Sequence, residues 1–480
     1  MELTQAAERA ALNKLIDYLD DDPEKHIETI MSLINKLVPD SVFPSQRKAF
    51  DDAISNKSNW YRLMMKVFDL NPEVRSRMLK TLIVDGNILA WPQQEKMREK
   101  HRCNIPWAIL LDPTSACNLH CTGCWAAEYG HALNLTLDDI DSIIKQGKEL
   151  GCHLYIYTGG EPLVRKADLI KLCEMHPDCA FLCFTNATLI DEAFCQDMIR
   201  VANFIPAISA EGDERTTDAR RGAGTYAKIE RAMGLLRSHG LPFGISCCWT
   251  RDNADTVATE ENIDWMIGEG ALFCWYFHYM PVGASSPAQL IPTPEQRERM
   301  YRFVRDMRSK KEIFTMDFQN DGEFVGGCIA GGRRYLHINA AGDVEPCVFI
   351  HYSNANIHDA TLLEALQSPL FMKYYEGQPF NDNHLRPCPM LENPYDLGRM
   401  VAESGAHGTD LVEPETPEDL RRKTVPAARA WEPVAERLWN DPDAPLHDKR
   451  QRAGDQGMAD TDKEKFERLG QRGTRGSTEN

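Results

Sequence analysis

No apolar stretch in this 480-residue chain approaches the ~18 consecutive residues that a membrane-spanning helix needs. The opening "MELTQAAERAALNKLIDYLDDD" has no basic segment leading into an apolar core, so it does not read as a secretory leader. Positive charge is also short: 54 Lys and Arg face 72 Asp and Glu, a formal net charge of −18. That balance argues against nucleic acid or an anionic lipid surface as the main partner. With nothing pointing to export, a cytoplasmic location is expected, and there disulfides are rare. Cysteine, by contrast, is plentiful at fifteen. Cysteines bunched at short spacing in a reducing compartment read as metal ligands, and scattered ones as small buried apolar residues.

Periodicity divides the chain. Over residues 1–100, "AALNKLIDYL", "HIETIMSLINKLV", "WYRLMMKVFDL" and "VRSRMLKTLIV" repeat apolar residues at helical steps. Pro23 and Pro72 suit first-turn positions, and Gly86 suits a helix stop. Met64, Met65 and Phe68 form an apolar stripe that reads as a packing face rather than a membrane face.

Over residues 105–285 the pattern becomes strand–helix alternation. "WAILLD", "LYIYTGG", "AFLCFTNAT", "NFIPAISAEG", "PFGISCCWT" and "LFCWYFHYMPVG" are short apolar runs separated by amphipathic segments. Six such units predict parallel strands joined by right-handed crossovers: an α/β fold built on a partial (β/α)6 barrel. Its chemistry belongs at the C-terminal strand ends. Residues 290–400 read as a small further α+β block. From 411 to 480 composition turns polar; one helix is expected between "ETPEDLRRK" and "VAERLWND", then a disordered tail.

Directly after the first run comes "DPTSACNLHCTGCW", which sets Cys117, Cys121 and Cys124 at C-x3-C-x2-C. Three thiolates do not close a tetrahedral zinc site, and His120 is a weak fourth ligand. On an iron–sulfur cube they leave one iron without a protein ligand, open to a chelating amino acid. This spacing, after the first strand of a six-unit β/α pattern and followed by Trp125, resembles the radical S-adenosylmethionine (SAM) superfamily.

That resemblance implies a 4Fe–4S cluster, SAM as cofactor, and an electron from a flavodoxin or ferredoxin. It also maps residues. "TGGEP" resembles the family's GGEP turn, implying Gly159 and Gly160 close to SAM and Glu161 near its amino group. "TNAT" implies Asn186 in the SAM pocket. "ISAEGDE" implies Ser209 and Glu211 at the ribose, although relatives often carry Asp where this chain has Glu. "DARRGAGTY" offers Arg220 and Arg221 to the SAM carboxylate, with Arg221 favoured because it precedes Gly222. Asn253 is a further cofactor contact. Cys247, Cys248 and Cys274 are expected to be core thiols. No side chain stands out as a catalytic acid or base.

A second set follows: Cys328, thirteen residues, Gly342, four residues, Cys347, with "NAAGDV" as a hairpin turn and Cys388 further on. It resembles the opening of SPASM and Twitch extensions, implying an auxiliary 4Fe–4S cluster held by Cys328, Cys347 and Cys388. The closely spaced cysteines that complete SPASM are missing, so the likeness is nearer to Twitch. The fourth ligand stays open between Cys103, a non-cysteine group and substrate, and zinc remains an alternative metal. The implied function is hydrogen abstraction by a 5′-deoxyadenosyl radical from a peptide or protein. Lipid or tetrapyrrole modification is the alternative, and an iron–sulfur carrier the non-enzymatic one.

Overall fold

The first hundred residues are built by short helices whose starts are dictated locally. Helices span Leu3–Asp21, Pro23–Leu37, Pro44–Asn56, Asn59–Phe68, Pro72–Leu79 and Ala90–His101 in the computed structural model, which describes residues 3–37 and 44–441. Pro23 and Pro72 both open helices, as their fixed φ and missing N–H favour. Asn71 caps the second of these by accepting from the amides of Glu73 and Val74. Gly86 does not stop a helix. It lies inside a π-helical segment, Lys80–Leu89, that runs straight on into Ala90–His101. Its carbonyl, freed from regular α-helical pairing, accepts from the Trp107 indole at 3.2 Å. Met64 and Met65 pack against a small cluster of Ile27, Ile54 and Tyr61. None of the described helices is long and apolar enough to cross a membrane.

Six strands follow where alternation predicts them: β1 (Ala108–Leu111), β2 (Leu154–Tyr157), β3 (Ala180–Thr185), β4 (Phe204–Ser209), β5 (Gly244–Trp249) and β6 (Phe273–His278). They lie side by side in chain order and all pair in parallel. The sheet is larger than six. β7 (Phe314–Asp317) adds in parallel beyond β6, while β8 (Tyr335–Ile338) returns to pair in parallel with β1. β9 (Val344–Glu345) completes an antiparallel hairpin with β8, so part of the C-terminal block is welded to the barrel edge. The hairpin turn is the expected "NAAGDV": the Asn339 carboxamide oxygen accepts from the amides of Ala341 and Asp343, and Gly342 sits at φ +90°.

Period-2 alternation sorts the strand residues onto two faces. Tyr155, Tyr157, Phe181, Cys183, Cys274 and Tyr276 pack toward the covering helices. Leu154, Ile156, Leu182, Phe184, Trp275 and Phe277 belong to the opposite, inner cluster. Helix Pro417–Asn440 packs through Trp431, Ala435 and Leu438 against Tyr301 and Leu385. This is the helix expected within the polar C-terminal region. The tail expected to be disordered falls almost wholly at 442–480, outside the described residues.

Candidate active site

The inner face of the sheet opens, at its C-terminal end, into a cavity of about 1380 Å³, open solvent at its mouth included. Cys117, Cys121, Cys124, Gly159, Gly160, Glu161, Asn186, Ser209 and Arg221 all line it. Strand topology explains the convergence, since parallel strands deliver their C-terminal loops to one rim.

The three-cysteine loop is pinned by its neighbours rather than by its own thiols. Amides of Gly160 and Glu161 donate to the carbonyls of Thr114 and Ala116 at 3.0 and 2.8 Å, and the Thr122 amide donates to Arg220. A Cβ at Gly160 would sit 2.2 Å from the Ala116 carbonyl oxygen, and one at Gly159 would sit 2.8 Å from Asp112 Cβ. Both glycines are therefore demanded by the loop passing over them, a stricter reason than room for a ligand. Glu161 is buried and accepts from Thr185 Oγ1 (2.6 Å) and the amides of Asn186 (2.8 Å) and Leu163 (3.0 Å). Burial pushes its carboxyl up from the usual range, against the pull of those donors. Asn186 in turn donates to the Asn118 side chain at 2.7 Å, tying β3 to the loop between the first two cysteines.

Glu211 departs from expectation. Its carboxylate does not line the cavity; it is fully buried and meets Arg220 at 2.8 Å and Arg221 at 2.5 and 2.6 Å. Burial alone would raise this carboxyl, but the two guanidiniums hold it below the usual range. Both arginines line the cavity, and Arg221 Nη1 lies 3.9 Å from Cys121 Sγ. Two cations and one anion leave about one net positive charge beside the thiols. Glu211→Ala leaves both guanidiniums without their carboxylate and is expected to lower stability by about 3–5 kcal/mol. A urea titration checks this, and a loss below about 1 kcal/mol would contradict the pairing.

Two other expectations are corrected. Cys247 and Cys274 are core thiols, but Cys248 faces the cavity because consecutive residues of β5 point to opposite faces. Asn253 is spent on its own turn, accepting from the Thr250 amide at 2.6 Å and donating to the Cys248 carbonyl at 3.1 Å. Of the aromatic run in β6, Trp275 and Phe277 face the cavity, and Phe184, Phe318 and Phe349 add further apolar wall. His278, at the strand end, is bound to the Tyr279 carbonyl at 2.7 Å and is held neutral by burial.

The second cysteine set adjoins the far wall. Cys328, Cys347 and Cys388 share the inner apolar cluster, whereas Cys103 belongs to the helix-side core with Ile105 and Ile109 and drops out as a fourth ligand. Burial pushes the Cys328 and Cys347 thiols up to about 11 and 12, so occupancy by metal must expel protons. Backbone amides already point at the sulfurs: Phe349 N at Cys347 (3.5 Å), Met390 N and Leu391 N at Cys388 (3.4 Å each), and Leu119 N at Cys117 (3.4 Å). Such donors suit cluster-bound thiolates. Among the described residues, only His153, Asp178 and Cys179 bring three possible ligand atoms within 4.8 Å of one another. There the Lys148 ammonium already sits 2.7 Å from Asp178. Neither cysteine trio is so close, whereas tetrahedral zinc needs sulfurs about 3.8 Å apart at Zn–S near 2.3 Å.

A buried polar network behind Trp125 gives no sequence signal. His337 sits between Asp112 (2.9 Å) and Glu345 (2.6 Å), Tyr129 donates to Glu345, and His351 meets Asp410. Burial disfavours the imidazolium, yet the two carboxylates raise His337 to about 10. Its members come from six distant positions joined only by the fold.

Residues 111–259 match the Radical SAM superfamily. An AdoMet-dependent heme synthase of Nitratidesulfovibrio vulgaris is 26% identical over 313 residues, 58% of this chain and 84% of that protein. A PqqA peptide cyclase of Gluconobacter oxydans is 24% identical over 329 residues, 64% of this chain and 90% of that one. Among solved structures, Streptococcus suis SuiB bound to precursor peptide SuiA aligns at TM-score 0.48 and 18% identity, over 57% of this chain and 68% of that chain.

Proposed function

We propose, on the premise that this chain is a radical SAM enzyme, that its cavity takes up a side chain of a peptide or protein for hydrogen abstraction. When bound, the 4Fe–4S cluster and SAM supply the chemistry: an electron from a flavodoxin or ferredoxin, and a 5′-deoxyadenosyl radical. The observation that carries the reading is the shared rim. One cavity gathers the three thiols of the C-x3-C-x2-C loop, a glycine turn, Glu161, Ser209 and two arginines together with aromatic walls.

The residues divide the work. Cys117, Cys121 and Cys124 are the protein ligands of the cluster, and their number leaves one iron for a chelating amino acid. Arg220 and Arg221 face the anionic end of that amino acid, with Glu211 fixing their geometry from below. Glu161 Oε2 accepts one bond, from the Asn186 amide, and keeps a lone pair for an ammonium donor. Ser209 offers its hydroxyl to the ribose. Trp275, Phe277 and Phe318 exclude water and hold an apolar group in one orientation, the condition for a selective abstraction. Cys328, Cys347 and Cys388 hold an auxiliary 4Fe–4S cluster at the opposite wall. In this reading residues 105–285 form the SAM barrel and 290–400 the auxiliary extension, although β8 is shared between them.

The peptide assignment draws on the relative named PqqA peptide cyclase. The apolar walls also suit a lipid or tetrapyrrole, the second reading, and a relative named heme synthase lends it weight. An electron carrier has no use for an enclosed cavity beside its cluster. Anaerobic incubation with SAM and dithionite should yield 5′-deoxyadenosine; none would overturn the enzyme reading. Stimulation by a peptide library, but not by a porphyrin or lipid vesicles, is the expected pattern, and the reverse would select the second reading.

A further inference from the structure

The auxiliary cysteines are not alone in their pocket. Tyr335 opens β8, lines the cavity with its ring, and places Oη 2.7 Å from Cys347 Sγ. Tyr374 lies in helix Pro369–Gly377, is fully buried, and has a hydroxyl with no hydrogen-bond partner. Its ring is fixed from two sides. Gly331 leaves it room, since a Cβ there would come within 2.4 Å of Tyr374 Cβ, and Phe380 packs edge-on at 5.2 Å.

The Tyr335 hydroxyl meets the Cys347 sulfur directly, and Tyr374 packs in the same inner cluster as Cys328, Cys347 and Cys388. Burial first, and then the charges of Cys328, Cys347 and Cys388, push the Tyr374 hydroxyl up; burial and the same three cysteines, led by Cys347, do so for Tyr335. A buried phenol without a partner carries an uncompensated desolvation cost. Such a cost is relieved when an acceptor occupies the pocket, and bridging sulfides or thiolates are acceptors.

Resting on the auxiliary-cluster reading above, we propose that Tyr335 and Tyr374 donate hydrogen bonds to sulfur atoms of the auxiliary centre and raise its reduction potential. Hydrogen bonds to cluster sulfurs stabilise the more negative, reduced state. Tyr335 has a second consequence. Its ring borders the cavity and its hydroxyl touches an auxiliary ligand, so it offers a hydrogen-bonded route between substrate and auxiliary centre.

The test uses the full-length chain carrying Cys117→Ala, Cys121→Ala and Cys124→Ala, so that only auxiliary iron contributes. Tyr335→Phe and Tyr374→Phe are compared in it by potentiometric titration followed by electron paramagnetic resonance. Each is expected to make reduction about tenfold less favourable, about 59 mV for a one-electron couple, with iron content unchanged. Tyr157→Phe, which removes a buried hydroxyl in the helix-side core, should leave the potential where it was. Unshifted potentials in both variants with iron intact would overturn the inference. Loss of iron on Tyr374→Phe would overturn it for that residue, making it a ligand instead. Absence of iron from the parent chain would instead remove the auxiliary-cluster reading on which the inference stands. Should Tyr374→Phe misfold by circular dichroism, Tyr335→Phe alone must show the shift.

Discussion

Replacing Cys117, Cys121 and Cys124 together with alanine is expected to cut 5′-deoxyadenosine formation to the no-enzyme background while the protein stays folded. The loss should be complete because these three are the thiols of the loop proposed to hold the SAM-cleaving cluster. The fold should survive because the sulfurs carry only long contacts, from Leu119 N and Arg221 Nη1. The loop is held by backbone bonds from Gly160, Glu161 and Thr122, and by Ser115 N to Leu133 O at 2.9 Å. Its neighbours are fixed by Glu161, Asn186 and the Arg–Glu211 pairing, none of which uses a thiol. Reconstituted wild type should hold roughly eight irons and the variant about half, given two four-iron clusters. Iron analysis, circular dichroism and quantitation of the nucleoside check the three statements separately. Undiminished nucleoside from the variant would remove the assignment of this loop. Zinc without iron at Cys328, Cys347 and Cys388 would remove the second cluster.

How much of this was legible beforehand depends on how local each signal is. The six strands β1 to β6 were legible because each is a short apolar run between amphipathic helices. The C-x3-C-x2-C loop was legible because its three ligands lie within eight positions. β7 was missed because "FTMD" is four residues long, too short for its apolar–polar alternation to distinguish it from the end of a helix. The return of β8 to the edge of β1 is a pairing across more than two hundred residues, which no local pattern encodes. The role of Glu211 was misread for a geometric reason. Continued alternation would place it on the same face as Ser209, but β4 ends at Ser209 and Gly212 turns the chain at φ +91°. The carboxylate is thereby swung beneath the rim to meet both arginines. Cys248 was misread by the opposite error, since alternation was not applied across the Cys247–Cys248 pair. The His337 network was invisible, because Asp112, His337 and Glu345 are brought together by β1, β8 and β9, and Tyr129, His351 and Asp410 join them from loops far apart in the chain.

Changing Cys328 and Cys347 together to alanine should separate the two halves of the reaction. Formation of 5′-deoxyadenosine from SAM and dithionite alone should stay within about twofold of wild type, while turnover coupled to any peptide that stimulates the wild type should fall to background. The first half follows from placement: the SAM end of the cavity is built from β1 to β5 and the helix Glu214–Arg221, and it takes no contact from either cysteine. The second follows from the wall they support. Cys347 is hydrogen-bonded to Tyr335 and directly precedes Val348 and Phe349, and Cys328 precedes Ile329, so four of the cavity-lining residues of the extension neighbour these two cysteines. Under the proposed function, removing the auxiliary centre would remove an electron acceptor and loosen the wall facing the substrate. Metal binding also contributes folding free energy, so circular dichroism and size exclusion must show an intact fold before the rates are compared. A folded double variant that converts peptide at the wild-type rate would reduce the auxiliary site to a structural role at most. Loss of SAM cleavage in a folded variant would mean that the two sites are coupled through β8, the strand whose edge joins them, and Tyr335 at its start would be the first residue to change next.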